Sequence, residues 1–169
     1  VNVKEANFFL RQVTGCGTIG SEVNMPDLSV NIAPGHENGL LLRNPVIISS
    51  GTFGQDGYGS HMPSGVDFQR LGGVVAKTTT IQPRLGNPTP RIAHARSWTI
   101  NSIGLQNPGI EAVLREQAPR WVGWQVPVIL SIAGERIDEY RDLAAAIEGT
   151  PGIAAIEINV SCPNVEGGL

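Results

Sequence analysis

The chain has 169 residues, a formal net charge of −3, 41% hydrophobic residues and 16% charged ones. That balance supports one domain with a real hydrophobic core and excludes an intrinsically disordered chain. The weak negative charge gives no electrostatic reason to expect nucleic acid or an anionic membrane as partner, and no apolar run approaches the roughly 18 residues that a membrane span needs.

Cys16 and Cys162 are the only cysteines, far apart in the chain. They form no disulfide framework, and their spacing does not suit a metal site. The apolar stretch Phe8–Leu10 is too short for the core of a secretory signal. The expectation is a soluble, reduced, cytoplasmic protein without a bound metal. Gly (21) and Pro (12) are spread between apolar runs and therefore mark turns rather than a linker.

Residues 1–24 show weak periodicity, and Met25 suits a native start. Val1–Asn24 are therefore expected to be an extension or tag outside the fold, which occupies residues 25–169. Four short apolar runs follow in order: Asn44–Gly51 (NPVIISSG), Gly72–Thr80 (GGVVAKTTT), Pro127–Gly134 (PVILSIAG) and Gly152–Ser161 (GIAAIEINVS). Near-continuous apolar runs of this length suit strands buried on both faces of a parallel sheet. Helical segments are expected between them. Ile110–Trp121 is a weaker one that Pro119 should end or bend. In Glu135–Gly149, Ile137, Tyr140, Ala144 and Ile147 fall on one face, opposite Asp138, Glu139, Arg141 and Asp142, and Gly149 and Pro151 supply the stop.

Strands alternating with helices fit either an open doubly wound sheet or a TIM barrel. No GxGxxG follows the first strand, and the polar residues Ser50, Lys77 and the Asn159–Cys162 group sit at the C-terminal ends of different strands. A (β/α)8 barrel keeps its chemistry there. A complete barrel takes about 250 residues, so this chain is expected to hold only about the first half and to be truncated.

In the last strand Ile156, Ile158 and Val160 alternate with Glu157, Asn159 and Ser161. A period of two sends the apolar set toward surrounding helices and turns Asn159 and Ser161 toward the barrel mouth. Cys162 follows where strand becomes loop, flanked by Ser161, Pro163 and Asn164. A lone cysteine is ordinarily a small buried hydrophobe; this setting favours a chemical role, as nucleophile or as proton acceptor. His36, His61 and His94 stand in expected loops with no motif around them, which makes the general-base role the more attractive one. Lys77 closes an apolar strand, where its ammonium either meets an anion or snorkels to water. Asn101–Gly109 (NSIGLQNPG) combines amides with glycines that admit close approach of a ligand, and equally suits a turn.

Taken together, NPVIISSGTFG, then AKTTTIQPRLGNPTPR (Ala76–Arg91), then NSIGLQNPG, then INVSCPN (Ile158–Asn164) resemble the dihydroorotate dehydrogenases, with GNPTPR and NSIGLQNPG most like the class 1B catalytic subunit that works with NAD. The resemblance runs from about Leu40 to Leu169. It implies a TIM barrel that binds FMN and oxidises dihydroorotate to orotate in pyrimidine (UMP) biosynthesis. Cys162 would remove the C5 proton while hydride passes from C6 to the flavin. Asn101, Ser102, Ile103, Gly104 and Leu105 would hold the substrate, with Lys77, Asn159 and Asn164. Ser50, Gly51, Lys77, Thr78 and Asn159 would contact FMN. Ser131 stands where many class 1B relatives have Asn, and a hydroxyl can still donate a hydrogen bond there.

Class 1B implies a partner subunit carrying FAD and a [2Fe–2S] cluster, in a heterotetramer that passes electrons to NAD. A fumarate-linked class 1A enzyme, itself a homodimer, is the runner-up. An iron–sulfur dihydropyrimidine dehydrogenase-like protein is disfavoured by the cysteine count. A non-catalytic half-barrel serving in binding or assembly is the reading from another class. The family's second flavin lysine and its phosphate site would lie beyond Leu169, so the chain alone is expected to be inactive.

Overall fold

The computed structural model describes residues 26–37 and 39–162. Val1–Asn24, Met25, Pro163 and Asn164 lie outside the described residues. In chain order these residues form β1 (Val30–Asn31), β2 (Leu41–Leu42), β3 (Ile47–Ile48), a 3₁₀ turn (Phe68–Arg70), β4 (Gly73–Thr79), β5 (Ile92–His94) and β6 (Thr99–Asn101). A helical segment made of α1 (Ile110–Ala112), a π turn (Val113–Gln117) and α2 (Ala118–Trp121) comes next, followed by β7 (Val128–Ile132), α3 (Ile137–Ile147) and β8 (Ala155–Ile158).

The four apolar runs all become strands of one parallel sheet, in the spatial order β3-β4-β7-β8. That order follows the chain without reversal. A doubly wound sheet would reverse direction at a switch point, whereas a barrel adds each strand beside the last. The fold is therefore part of a (β/α)8 barrel. Two antiparallel hairpins, β1–β2 and β5–β6, are added outside this sheet. His94 accordingly lies in a strand rather than a loop, with Nδ1 2.9 Å from Thr99 Oγ1.

Every residue of β7 is buried, as its unbroken apolar run requires of a strand covered on both faces. The core joins Val74, Val128, Leu130 and Ile132 of the sheet to Val113, Trp121 and Leu143 of the helices. Phe53 and Phe68 pack edge-on against Trp124 at the side. Pro119 neither ends nor sharply breaks its helix. It has no N–H to give and its ring crowds the carbonyl a turn earlier. The π turn just before it absorbs this, with Ala118 N donating five residues back to Val113 O.

Two expectations need correction. In α3 the buried face runs through Leu143 (0% exposed) and Ile147, while Ile137 is 90% exposed. The helix starts at Ile137, so that side chain lies in the first turn, ahead of the turns that carry the buried Leu143 and Ile147. In β8 only Ile156 packs against the core, whereas Ile158, and Val160 just past the strand, are exposed.

Leu143→Ala should lower unfolding stability by roughly 2–5 kcal/mol through the cavity it leaves, whereas Ile137→Ala should stay within about 0.5 kcal/mol of wild type. Urea denaturation of both variants checks this, and equal losses would contradict the assignment of the buried face.

Candidate functional site

The site forms where β3, β4, β7 and β8 end, and its shape starts with an irregularity in β4. Ala76 pairs with Leu130 and Thr79 with Ile132, so β4 carries one more residue over that interval than β7 does. Such a bulge re-aims side chains. Lys77 N is released from the sheet ladder and donates instead to Gly57 O at 2.9 Å. Strict alternation would set Lys77 and Thr78 on opposite faces; with the bulge, both reach the strand-end mouth.

Lys77 lies along two glycines. A Cβ on Gly57 would sit 2.7 Å from Lys77 Cβ, and one on Gly51 would sit 3.7 Å from Lys77 Nζ. Gly57 also has φ +80°, so glycine is required there on both counts. Asp56 holds this turn by accepting from Tyr58 N (2.9 Å), Ser60 N (3.0 Å) and Ser60 Oγ (2.6 Å). Burial works to raise the Asp56 carboxyl, but those bonds keep it below its usual value. Burial pushes the Lys77 ammonium below its ordinary value, and the neighbouring Cys162 acts in the opposite direction.

Across the strand ends runs a line of hydrogen bonds. Ser50 Oγ accepts from Thr78 N and lies 3.1 Å from Thr78 Oγ1. Thr78 Oγ1 is 2.9 Å from Ser131 Oγ and accepts from Asn159 Nδ2 at 3.4 Å. Four parallel strands thus contribute one uncharged polar side chain each. Thr79, one residue on, turns into the core and bonds the Tyr58 hydroxyl at 2.9 Å. Burial raises that phenol to about 12.

Residues 101–105 reach this mouth from the side. Asn101 ends β6, and Ser102 is exposed, with its carbonyl and hydroxyl both accepting from Asn87 Nδ2 at 3.0 Å. Ile103 lines a cleft of about 570 Å³ together with Lys77, Gly51, Arg84 and Gln106. Gly104 and Leu105 both have positive φ, +74° and +54°. Leu105 is buried and packs with Ala133 against the half-buried Cys162. The loop and the cysteine, 57 residues apart in the chain, therefore meet in one small apolar cluster.

The described residues thus gather Ser50, Gly51, Lys77, Thr78, Ser131, Asn159 and Cys162 at one end of the sheet, with Leu105 against the cysteine. Ser161 is exposed, and its N–H donates to Asn159 Oδ1. Asn164 lies outside the described residues. Sequence reasoning missed the supports. Tyr140 Oη donates to Asn159 O at 2.6 Å, Asn87 clamps Ser102, and the buried Asn107 bonds Thr80, Leu105 and Gly109. For Asn107 there was a signal, an Asn before Pro-Gly, which favours side-chain bonds to its own turn. For Tyr140 there was none. Among the described residues no group of His, Cys, Asp and Glu could hold a metal ion, and no helix is long and apolar enough to cross a membrane.

A family model described as dihydroorotate dehydrogenase matches residues 35–169. The chain is 52% identical over 130 residues to a protein of Desulforudis audaxviator (strain MP104C) named "Dihydroorotate dehydrogenase B (NAD(+)), catalytic subunit", covering 77% of this chain and 41% of that one. It is 46% identical over 142 residues to a protein of the same name from Endomicrobium trichonymphae, covering 84% of this chain and 44% of that one. The chain thus spans somewhat less than half the length of these relatives. Among solved structures it is similar to DHODH from Eimeria tenella, a complex with ferulenol, with TM-score 0.62 and 23% identity over 98% of this chain and 46% of that one.

The Lys77 shift has a pH consequence. Between its lowered folded value and the ordinary 10.5, the unfolded chain holds more protons on this residue than the native one. Stability from this residue therefore rises with pH through that window, and the penalty is fully present below it. The stability difference between wild type and Lys77→Met should accordingly shrink as pH rises toward 10.5. Denaturation curves at several alkaline pH values test this; a difference independent of pH would contradict a desolvated ammonium.

Proposed function

Because the chain belongs to the dihydroorotate dehydrogenase family, we propose that it supplies the strand-end half-site of a flavoenzyme oxidising dihydroorotate to orotate in pyrimidine (UMP) biosynthesis, with Cys162 as the base. The observation that carries this reading is the convergence of Cys162, Lys77 and the Leu105 loop on one line of neutral polar side chains. The names of its relatives favour the NAD-linked class, in which a partner subunit with FAD and a [2Fe–2S] cluster, assembled as a heterotetramer, relays the electrons.

The residues present fit an FMN ring. Ser50, Thr78, Ser131 and Asn159 offer hydroxyl and amide groups in a row, suited to the mixed donors and acceptors of a flavin edge. Gly51 leaves Lys77 Nζ free of any side chain between them. FMN, held by these residues, would supply the acceptor for the hydride from C6 of the substrate. The chain's own residues do the rest. Cys162 Sγ accepts the C5 proton, so that loss of a proton and a hydride leaves the C5=C6 double bond of orotate. Half-exposed as it is, the thiol can return that proton to water. Lys77 offers its ammonium to the substrate carboxylate or a flavin oxygen. The amide and backbone groups of Asn101–Leu105, with Asn159 and Asn164, pair the imide edges of the substrate.

In the full-length gene product, Cys162→Ser should keep its FMN absorbance and lose about 100-fold or more of its turnover at neutral pH, the scale of a positioned general base. Dihydroorotate oxidation followed beside the flavin spectrum is the measurement. Wild type that neither binds FMN nor oxidises dihydroorotate would refute the function, and undiminished turnover in Cys162→Ser would refute the base.

A further inference from the structure

We propose that Asn107 is a positioning residue of this site: it pins Leu105 in the apolar cluster on which Cys162 packs and so sets the water access and placement of the thiol. The inference rests on the reading of Cys162 as base given above, but its geometry is independent of it.

Asn107 is 6% exposed, and its side-chain amide is fully used. Oδ1 accepts from Thr80 N at 3.2 Å and from Gly109 N at 2.9 Å. Nδ2 donates to Thr80 Oγ1 at 3.0 Å and to Leu105 O at 2.7 Å. Thr80 Oγ1 has its own hydrogen committed to Gln82 O at 2.6 Å, so it faces Asn107 as an acceptor. The amide orientation follows from this: turned over, it would set NH2 against two backbone N–H groups. The backbone of Asn107 is held as firmly, exchanging bonds with Arg84 at 2.9 and 3.0 Å. One side chain therefore ties the end of β4 to the loop from Leu105 to Gly109.

What this tie restrains is a conformation the loop would not choose. Leu105 has φ +54° directly after Gly104 at φ +74°. A branched side chain in the left-handed region is strained and persists only where its surroundings over-determine it. The bond from Asn107 Nδ2 to Leu105 O is the shortest of the set and fixes that residue from behind. In front, Leu105 is 6% exposed and lies with Ala133 against Cys162. If the bond is lost, Leu105 can relax toward negative φ, and its side chain leaves the thiol.

The test reads the thiol directly. In a Cys16→Ser background of the full-length gene product, the iodoacetamide alkylation rate of Cys162 is compared in wild type, Asn107→Ala, Asn107→Asp and Leu105→Ala, with Leu143→Ala as a distant variant destabilised by its own cavity. Asn107→Asp keeps the two backbone acceptor bonds and loses both donor bonds, so it removes the hold on Leu105 at nearly constant shape. All three site variants should alkylate several-fold faster than wild type, and Leu143→Ala should not. Turnover of dihydroorotate should fall about 10- to 100-fold in both Asn107 variants, with kcat affected more than KM and FMN content kept, as expected of a misplaced reacting group. Alkylation in the Asn107 variants no faster than in Leu143→Ala would overturn the proposal, as would an unchanged rate in Leu105→Ala. Faster alkylation in a wild-type background that never oxidises dihydroorotate would leave the pin standing and remove only the enzymatic reading.

Discussion

A parallel sheet buried on both faces leaves little room for polar side chains except at strand ends, and β4 uses its end in an unusual way. The extra residue between Ala76 and Thr79 takes Lys77 N out of the ladder and hands it to Gly57 O. As a result Lys77 and Thr78 share the mouth, while Thr79 returns to the core and the Tyr58 hydroxyl. With regular pairing, either the ammonium or the threonine that links Ser50 to Ser131 would point into apolar packing. Burying either without a partner costs kilocalories, so the bulge allows one strand to serve both core and site.

Much of this was legible in the sequence. The apolar runs from Gly72 to Thr80 and from Pro127 to Gly134 contain the two longest parallel strands within a residue or two, because doubly buried strands need continuous apolar character. The strand-end placement of Ser50, Lys77 and Asn159 also held, since it depends only on where such runs stop. The hairpin β5–β6 was missed because its strands are three residues each and every residue in them is exposed, so burial imposed no alternation to read. Ile137 was assigned to the buried face by helical spacing alone; spacing fixes the direction of a side chain and says nothing about where the covered surface ends.

The site was less legible than the fold, for a physical reason. A bulge is a relation between two strands, and no pattern within Gly73–Thr79 announces it. Likewise Ser131 reads as a polar interruption of an apolar strand, yet its buried hydroxyl bonds Thr78 Oγ1, the hub that Ser50 and Asn159 also reach. The supports were harder still. Tyr140 lies on α3 at a position that helical spacing marks only as half-buried, and its bond to Asn159 O depends on a residue 19 positions away.

The electrostatics of the mouth follow from the same architecture. Ser50, Thr78, Ser131 and Asn159 are all uncharged, so the ladder satisfies its own members without adding a field of its own. Lys77 is then the one cation beside Cys162 among these residues, and it is carried on a stem lying against Gly51 and Gly57. Partial burial makes that ammonium costly, and the cost is lowest when an anion sits beside it. The bulge in β4 and the close fit of Gly57 against the Lys77 stem therefore fix where the one charge of this mouth sits.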